Sequence, residues 1–235
     1  MNPRRCWARR MRHWPRCESS RRSATLGTVS ARSLQNHLSI FPAACTLVSV
    51  ALLDDYLGEW KAISRYSGIA WLCFYLLFLV YAAADRSGFL LLDYVNLIIH
   101  EGGHFFFSWF GYTITILGGT LGELIVPLLC AAYFFAHRET FGFAFCAFWF
   151  FENFPYIGTY MADARAQALP LVGSGDHDWG ILFGQWGLLA QDQKIGGTMR
   201  VLGWMGMIGV VGWLGWQTYR SARASENARA QDVAH

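Results

Sequence analysis

The chain of 235 residues has little charge: Asp, Glu, Lys and Arg together make up 15% of it, against about 25% in an average soluble domain. Hydrophobic residues make up 54% and aromatic residues 17%. A soluble domain of this size needs a more highly charged surface. The composition therefore argues against a soluble globular protein and favours a membrane protein.

The sequence also lacks a cysteine framework. Its six cysteines show neither C-x-x-C pairs nor any other spacing typical of a metal or redox site. Four of them lie in apolar stretches and two in the basic N-terminal region: Cys45, Cys73, Cys130 and Cys146, then Cys6 and Cys17. We interpret all six as reduced, small apolar residues.

Positive charge is concentrated near the N-terminus, so the isoelectric point of about 8.6 reflects a tail rather than a basic domain. Nine arginines lie in the first 36 residues: Arg4, Arg5, Arg9, Arg10, Arg12, Arg16, Arg21, Arg22 and Arg32. Residues 1–36 are predicted to form a basic, disordered, cytoplasmic tail, and residues 221–235 a second disordered tail. Because no nucleic-acid-binding motif accompanies the arginines, no nucleic-acid partner is expected.

Residues 37–220 are predicted to form one helical membrane domain. Five apolar stretches are long enough, or nearly so, to cross a bilayer of about 30 Å: 67–84, 89–110, 113–136, 140–160 and 199–219. A sixth candidate, 38–53, is short and contains Pro42, so it is either a span or an interfacial helix. The expected fold is all-α, a polytopic membrane helical bundle with five to six transmembrane helices.

Charge suggests an orientation for these spans, because basic residues favour the cytoplasmic side. Six spans would put both basic termini and 137–139 inside, and Lys61 and Arg65 outside. The polar, glycine-rich segment 162–198 interrupts the pattern of spans. It is either an ordinary extramembrane loop or a partly re-entrant one, since irregular backbone is tolerated inside a membrane only where it is buried in protein or lines a cavity.

The motif His100-Glu101-Gly102-Gly103-His104 lies within the apolar stretch 89–110. H-E-x-x-H on a helix places two imidazoles on one face, where both can bind one Zn²⁺, and the glutamate beside them can accept a proton from metal-bound water. Ionisable groups are costly inside a bilayer, so these should face a protein interior or a hydrated cavity. The two glycines remove side-chain bulk, which would let a substrate backbone approach closely. Zn²⁺ is the expected cofactor.

A catalytic zinc site needs three protein ligands and an open position for water. Candidates for the third ligand are Glu123, Glu152, Asp163 and the group Asp176-His177-Asp178. Depth alone favours Glu152, because it and His100 should both lie near the centres of their helices. The residues by themselves leave the choice open.

The motif, the glycine-rich span 118–127, and then Asn153, Pro155 and Asp163 resemble the site-2 protease family of intramembrane zinc metallopeptidases, nearest its compact branch. The resemblance covers roughly 89–165 and implies a metallopeptidase core there. Matched residue by residue, it implies that His100, His104 and Asp163 bind zinc and that Glu101 is the general base. His177 is the leading substitute for Asp163. Asn153 is expected to stabilise the oxyanion or to hold the substrate backbone.

The expected function is that of an integral membrane zinc-dependent peptidase, in the bacterial inner membrane, which cleaves a membrane-embedded or membrane-proximal protein segment. Its expected partners are the lipid bilayer, a transmembrane protein substrate, and a second copy of the chain or a regulatory membrane protein. The alternative is a non-proteolytic membrane protein on the same scaffold, such as a metal-binding regulator or partner subunit. A membrane di-iron hydroxylase would need several histidine boxes, but besides the motif residues 60–220 contain only His137 and His177.

Overall fold

The computed structural model describes residues 58–85, 88–170 and 176–233. Those residues form α-helices and short 3-10 turns without a β-strand, which confirms the predicted all-α fold for this part of the chain. The helices are α1 (Arg65–Ala84), α2 (Asp93–Phe107), α3 (Tyr112–Ala136), α4 (Thr140–Ala162), α5 (Asp178–Trp186) and α6 (Asp192–Val233), with 3-10 turns at Ser108–Phe110 and Leu189–Gln191. The predicted tail 1–36 and the candidate span 38–53 lie outside the described residues.

Within the described part of the chain, three helices are long and apolar enough to cross a membrane: α1, α3, and the helix within Leu189–Val233. In α1 the only buried residues are Gly68 and Tyr75. Its outward side chains are large and apolar, with Leu77 71% and Val80 67% exposed. An apolar surface of this extent is stable against lipid but not against water, so the exposed faces indicate a membrane protein.

The last helix continues beyond the predicted apolar span 199–219. Residues 221–233, for which the sequence predicted disorder, are helical and extend α6 to Val233. The physical reason is local composition. This stretch is rich in Ala, Arg, Glu and Gln, which have high helix propensity and lose little side-chain freedom in a helix.

At one end of the bundle, the segment just before α1 contacts the turn between α3 and α4. The backbone N–H of Lys61 donates to the carbonyl of Arg138 at 3.1 Å, and the N–H of Ile63 donates to the hydroxyl of Ser221 in α6 at 3.4 Å. We call this end the basic end. Its basic residues are Lys61, Arg65, Arg138, Arg220, Arg223 and Arg229.

The opposite end joins the end of α4 to the start of α6. Arg165 binds Asp192 through two contacts, Nε to Oδ2 at 2.8 Å and a terminal guanidinium nitrogen to Oδ1 at 2.7 Å. Gly158 and Gly196 pack backbone to backbone just inside this end. We call it the acidic end. Its acidic residues are Asp85, Asp163, Asp176, Asp178 and Asp192.

This arrangement corrects the orientation that six spans required. Lys61 and Arg65 were expected on the side opposite 137–139, but the Lys61 to Arg138 hydrogen bond puts both groups at one end. Helix α1 therefore leaves the basic end and α3 returns to it, so the segment between them, which contains α2, begins and ends at the acidic end. With 15 residues, α2 is about 22 Å long, shorter than a bilayer core of about 30 Å.

Helices α2 and α3 pack unusually closely because glycines meet at their interface. A Cβ on Gly118 would lie 2.8 Å from the carbonyl oxygen of Gly103, and a Cβ on Gly122 would lie 3.0 Å from that of Ile99. Small residues allow such close backbone approach between membrane helices. Of the two motif glycines, Gly103 is thus a helix contact, whereas Gly102 has open space around it.

The nine-residue helix α5 is held by apolar packing and by both of its caps. Trp179, Leu182 and Phe183 are buried in a cluster with residues of α3 and α4, which are Ile116, Ile157 and Met161. The spacing of the three buried α5 residues places them on one helix face. His177 is the N-cap, and Gly187 ends the helix in the left-handed conformation with a φ of 68°. This packing fixes the position of the first residue of α5, Asp178.

Candidate metal centre

The first motif histidine lies on the buried face of α2. His100 is 7% exposed, and its Nδ1 lies 3.0 Å from Oε1 of Glu123 in α3. Glu123 is itself 1% exposed. A carboxylate that accepts a hydrogen bond from one imidazole nitrogen orients the ring and leaves the other nitrogen as a metal ligand. Here the free nitrogen is Nε2.

The ring of the second motif histidine is oriented in the same way, but by a backbone carbonyl group. Nδ1 of His104 lies 2.8 Å from the carbonyl oxygen of Thr115 in α3. Because a carbonyl can only accept, Nδ1 must carry the proton and Nε2 must have the free lone pair when the ring is neutral. In both motif histidines, Nε2 is thus the nitrogen that is available to bind a metal.

The two Nε2 atoms meet the carboxylate of Asp178. Its Oδ2 lies 2.9 Å from Nε2 of His100 and 3.2 Å from Nε2 of His104. The three ligand atoms lie within 4.8 Å of one another. The ordinary pKa of an aspartate is about 3.9, so its side chain at neutral pH is a carboxylate, the form that binds metal.

The chemistry of this donor set suits a divalent metal. Three lone pairs converge on one point, so the arrangement needs a positive charge there, either protons on the imidazoles or a metal ion. Two imidazole nitrogens and one carboxylate oxygen are ligands that Zn²⁺ accepts, and they leave a fourth position for water or substrate. The hydrogen bonds from Nδ1 to Glu123 and to Thr115 supply the outer partners that such histidine ligands have.

Asp163, predicted as the third ligand, does not reach the motif histidines. Its two carboxylate oxygens accept the backbone N–H groups of Ala168 and Leu169, each at 3.0 Å. The carboxylate is therefore used to shape the loop after α4. Among the described residues, the carboxylate that lies beside both motif histidines is that of Asp178, which makes it the candidate third ligand.

His177, predicted as the substitute ligand, caps α5 instead of pointing at the metal position. Its Nδ1 accepts the backbone N–H of Gly180 at 3.1 Å, and its Nε2 lies 3.6 Å from Oδ2 of Asp163. Burial lowers the pKa of this imidazole, which keeps the ring neutral and able to accept. His177 thus positions the ligand that follows it in the chain.

The remaining buried candidates have other partners. Oε2 of Glu152 accepts from the side-chain amide of Asn96 at 3.1 Å, so Glu152 does not serve as the ligand that its depth suggested. Asn153 donates to the carbonyl of Trp149 in its own helix at 3.1 Å, and its Oδ1 is buried without a hydrogen-bond partner among the described residues. Neither side chain contacts the group formed by His100, His104 and Asp178, which we call the triad.

Glu101 and Tyr160 lie beside the triad. Glu101 directly follows His100 in α2 and is exposed, and Tyr160 contacts the third member of the triad. The Tyr160 hydroxyl accepts the backbone N–H of Asp178 at 3.1 Å, and the Tyr160 ring stacks on His177 with centroids 4.2 Å apart. No sequence motif points to Tyr160, and the sequence indicates Asp178 only as one member of the group Asp176-His177-Asp178. The signal that could have selected Asp178 is its position at the start of an apolar i, i+3, i+4 pattern, Trp179, Leu182 and Phe183.

Comparison of the chain with family models, with curated proteins and with solved structures finds no match. The resemblance to the site-2 protease family therefore stays a prediction that rests on the motif.

Proposed function

We propose that this chain is an integral membrane zinc-dependent peptidase that cleaves a membrane-embedded or membrane-proximal protein segment. The observation that carries the proposal is the convergence of Nε2 of His100, Nε2 of His104 and Oδ2 of Asp178, with Glu101 next to the first ligand. Three ligands with an open fourth position are the arrangement of catalytic rather than structural zinc. A glutamate within the motif supplies the proton acceptor that hydrolysis needs.

Each residue then has a defined task. His100, His104 and Asp178 hold the metal, which when bound would lower the pKa of water to about 7 and polarise a peptide carbonyl. Glu101 accepts the proton of the attacking water and returns it to the departing amine. Its exposed position leaves room for a peptide beside it.

The substrate class follows from the surface around the motif. Ile98 is 74% exposed and Phe105 is 79% exposed on α2, on either side of Glu101 in the chain. These side chains suit contact with lipid or with another apolar helix rather than with water. We therefore assign a transmembrane protein segment as substrate, and we place the enzyme in a bacterial inner membrane. A second copy of the chain or a regulatory membrane protein would complete its partners.

For the described residues we propose four complete crossings, by α1, α3, α4 and α6. Helices α2 and α5 would enter the bundle from the acidic end. This count replaces the five to six spans expected from hydropathy. It also explains why ionisable groups of the triad are tolerated, since they face protein and an aqueous opening.

The metal assignment is tested by zinc stoichiometry of the protein purified in detergent. Wild-type protein and Asp176→Ala should each retain about one zinc, whereas Asp178→Ala should lose it, because a site of two histidines lacks its third ligand. Asp176 is a matched control, since it is an exposed aspartate two residues before the ligand. Equal zinc in all three proteins would refute the triad.

The peptidase activity is tested by mapping protein N-termini in membranes from cells that express wild type or Glu101→Gln. Wild-type cells should contain new N-termini within or next to transmembrane segments, and the variant should not produce them, since Gln cannot accept the proton. The variant should keep its zinc. A pull-down with the inactive Glu101→Gln protein should retain the uncleaved substrate.

A second candidate function is a metal-binding regulator without proteolysis. The observation in its favour is Asn153, the predicted oxyanion residue, which is hydrogen-bonded within its own helix and does not contact the triad. This candidate predicts full zinc in wild type and no N-termini that depend on Glu101.

A further inference from the structure

The depth of the triad within the bundle can be read from its contacts with α3 and α4. His104 contacts Thr115, the fourth residue of α3, and the N–H of Asp178 contacts Tyr160, two residues before the end of α4. Both contacts lie at the acidic end. On the inner side, His100 contacts Glu123, which is near the middle of the 25-residue helix α3. The triad therefore occupies the half of the bundle between its centre and the acidic end.

Exposure changes along the same direction. The side chain of Glu123 is 1% exposed and that of His100 is 8% exposed, whereas Asp178 is 15% and His104 is 24% exposed. Among these four side chains, the two nearer the acidic end are the more accessible. The metal position is therefore more accessible from the acidic end than from the centre of the bundle.

The two ends differ in positive charge. Among the described residues, six Lys and Arg residues lie at the basic end, whereas the acidic end has three, Arg165, Lys194 and Arg200. Arg165 is neutralised by its two contacts with Asp192. Lys and Arg next to transmembrane segments favour the cytoplasmic side, while Asp and Glu have little effect. The basic end is thus the cytoplasmic end.

We infer that the metal site opens to the non-cytoplasmic side of the membrane and acts on substrate segments that lie in the outer half of the bilayer or just beyond it. This inference rests on the proposed zinc peptidase for its substrate, but the orientation itself depends only on the helix ends and their charge. The substrates would be membrane-anchored proteins whose cleavage site has already been translocated.

The orientation is tested with single cysteines that replace exposed residues at each end, in intact cells treated with a membrane-impermeant maleimide. Asp176→Cys and Gln191→Cys report the acidic end, and His137→Cys and Ser225→Cys report the basic end. The wild-type chain, with its own cysteines, gives the background. The first two should be labelled in intact cells, and the last two only after the membrane is permeabilised. The opposite pattern, or labelling of both ends in intact cells, would overturn the inference.

A second measurement concerns the metal itself. In spheroplasts that contain the wild-type protein, the membrane-impermeant chelator EDTA should remove the bound zinc. Removal only by a membrane-permeant chelator would place the opening on the cytoplasmic side and contradict the inference. If the wild-type protein holds no zinc, the proposed function fails, while cysteine labelling still reports the orientation.

Discussion

Among single residues, Gly119 sets the space available to His100, the first of the proposed zinc ligands. A Cβ at this position would lie about 2.5 Å from Nε2 of His100, which is the ligand atom. Gly119→Ala should therefore displace the imidazole and abolish zinc binding, as measured by metal content after purification. Gly102→Ala is the control, because a Cβ there meets nothing within 4 Å, and it should keep its zinc. Full zinc in Gly119→Ala would show that His100 does not bind through Nε2.

The Tyr160 hydroxyl acts on the metal through Asp178, whose N–H it accepts. Tyr160→Phe keeps the ring that stacks on His177 but loses this hydrogen bond. Removing an outer partner of a metal ligand typically weakens metal affinity by about 10 to 100-fold. A competition titration against a chromophoric zinc chelator should show a loss of that size, and Tyr156→Phe, one turn earlier on α4, should not. If Tyr160→Phe binds zinc as tightly as wild type, the tyrosine serves only for packing.

His177 gives the docking of α5 a dependence on pH. Its pKa is lowered by burial, so in acid the unfolded chain takes up this proton more readily than the folded one. The stability that the neutral His177 side chain contributes is present above about pH 6.5, the ordinary pKa of histidine. It is lost as the pH falls below that value. His177→Asn keeps a good N-cap without titrating in this range. Unfolding of the zinc-free proteins at pH 7.5 and pH 5 should show a larger acid loss for wild type than for the variant.

At the level of elements, the ends of α5 determine how firmly Asp178 is presented. Gly187 has a φ of 68°, and alanine in that conformation costs about 1 kcal/mol. Gly184, inside the helix with nothing near its Cβ position, should by contrast gain about 1 kcal/mol on substitution by alanine. Gly187→Ala is therefore expected to weaken zinc binding, and Gly184→Ala to strengthen or preserve it. A chelator competition measures both, and equal affinities would show that α5 folding is not coupled to the metal.

The same elements show what the sequence can predict. The boundaries 113–136 and 140–160 differ from the observed α3 and α4 by two residues at most, because long, mostly apolar runs with polar flanks determine where such helices begin and end. The stretch 89–110 was predicted to be a complete span, but hydropathy cannot distinguish a complete crossing from a segment that enters and leaves the membrane on one side. Asp178 was not selected because it lies 74 residues after His104, and its approach depends on apolar packing of α5 that no local spacing encodes.

For the whole molecule, the bundle and the metal centre are held by different sets of contacts. Helices α1, α4 and α6 share one buried cluster, which includes Tyr75, Phe148, Met207 and Leu214. Helix α5 belongs to the other cluster, with α3 and α4, and the triad is its polar link to α2. A ligand that binds only the folded state stabilises it by about 2.7 kcal/mol at a free concentration 100 times Kd. Zinc should therefore stabilise α5 more than it stabilises the bundle.

This division predicts the response to metal removal. With EDTA, limited proteolysis of the wild-type protein should produce early cleavage between α4 and α5, while α1, α4 and α6 remain intact, because their shared cluster does not involve the metal. Excess zinc should protect the wild-type protein and leave Asp178→Ala unprotected. Mass spectrometry of the fragments locates the cuts. Uniform degradation of the whole chain after metal removal would mean instead that zinc stabilises the bundle as one unit.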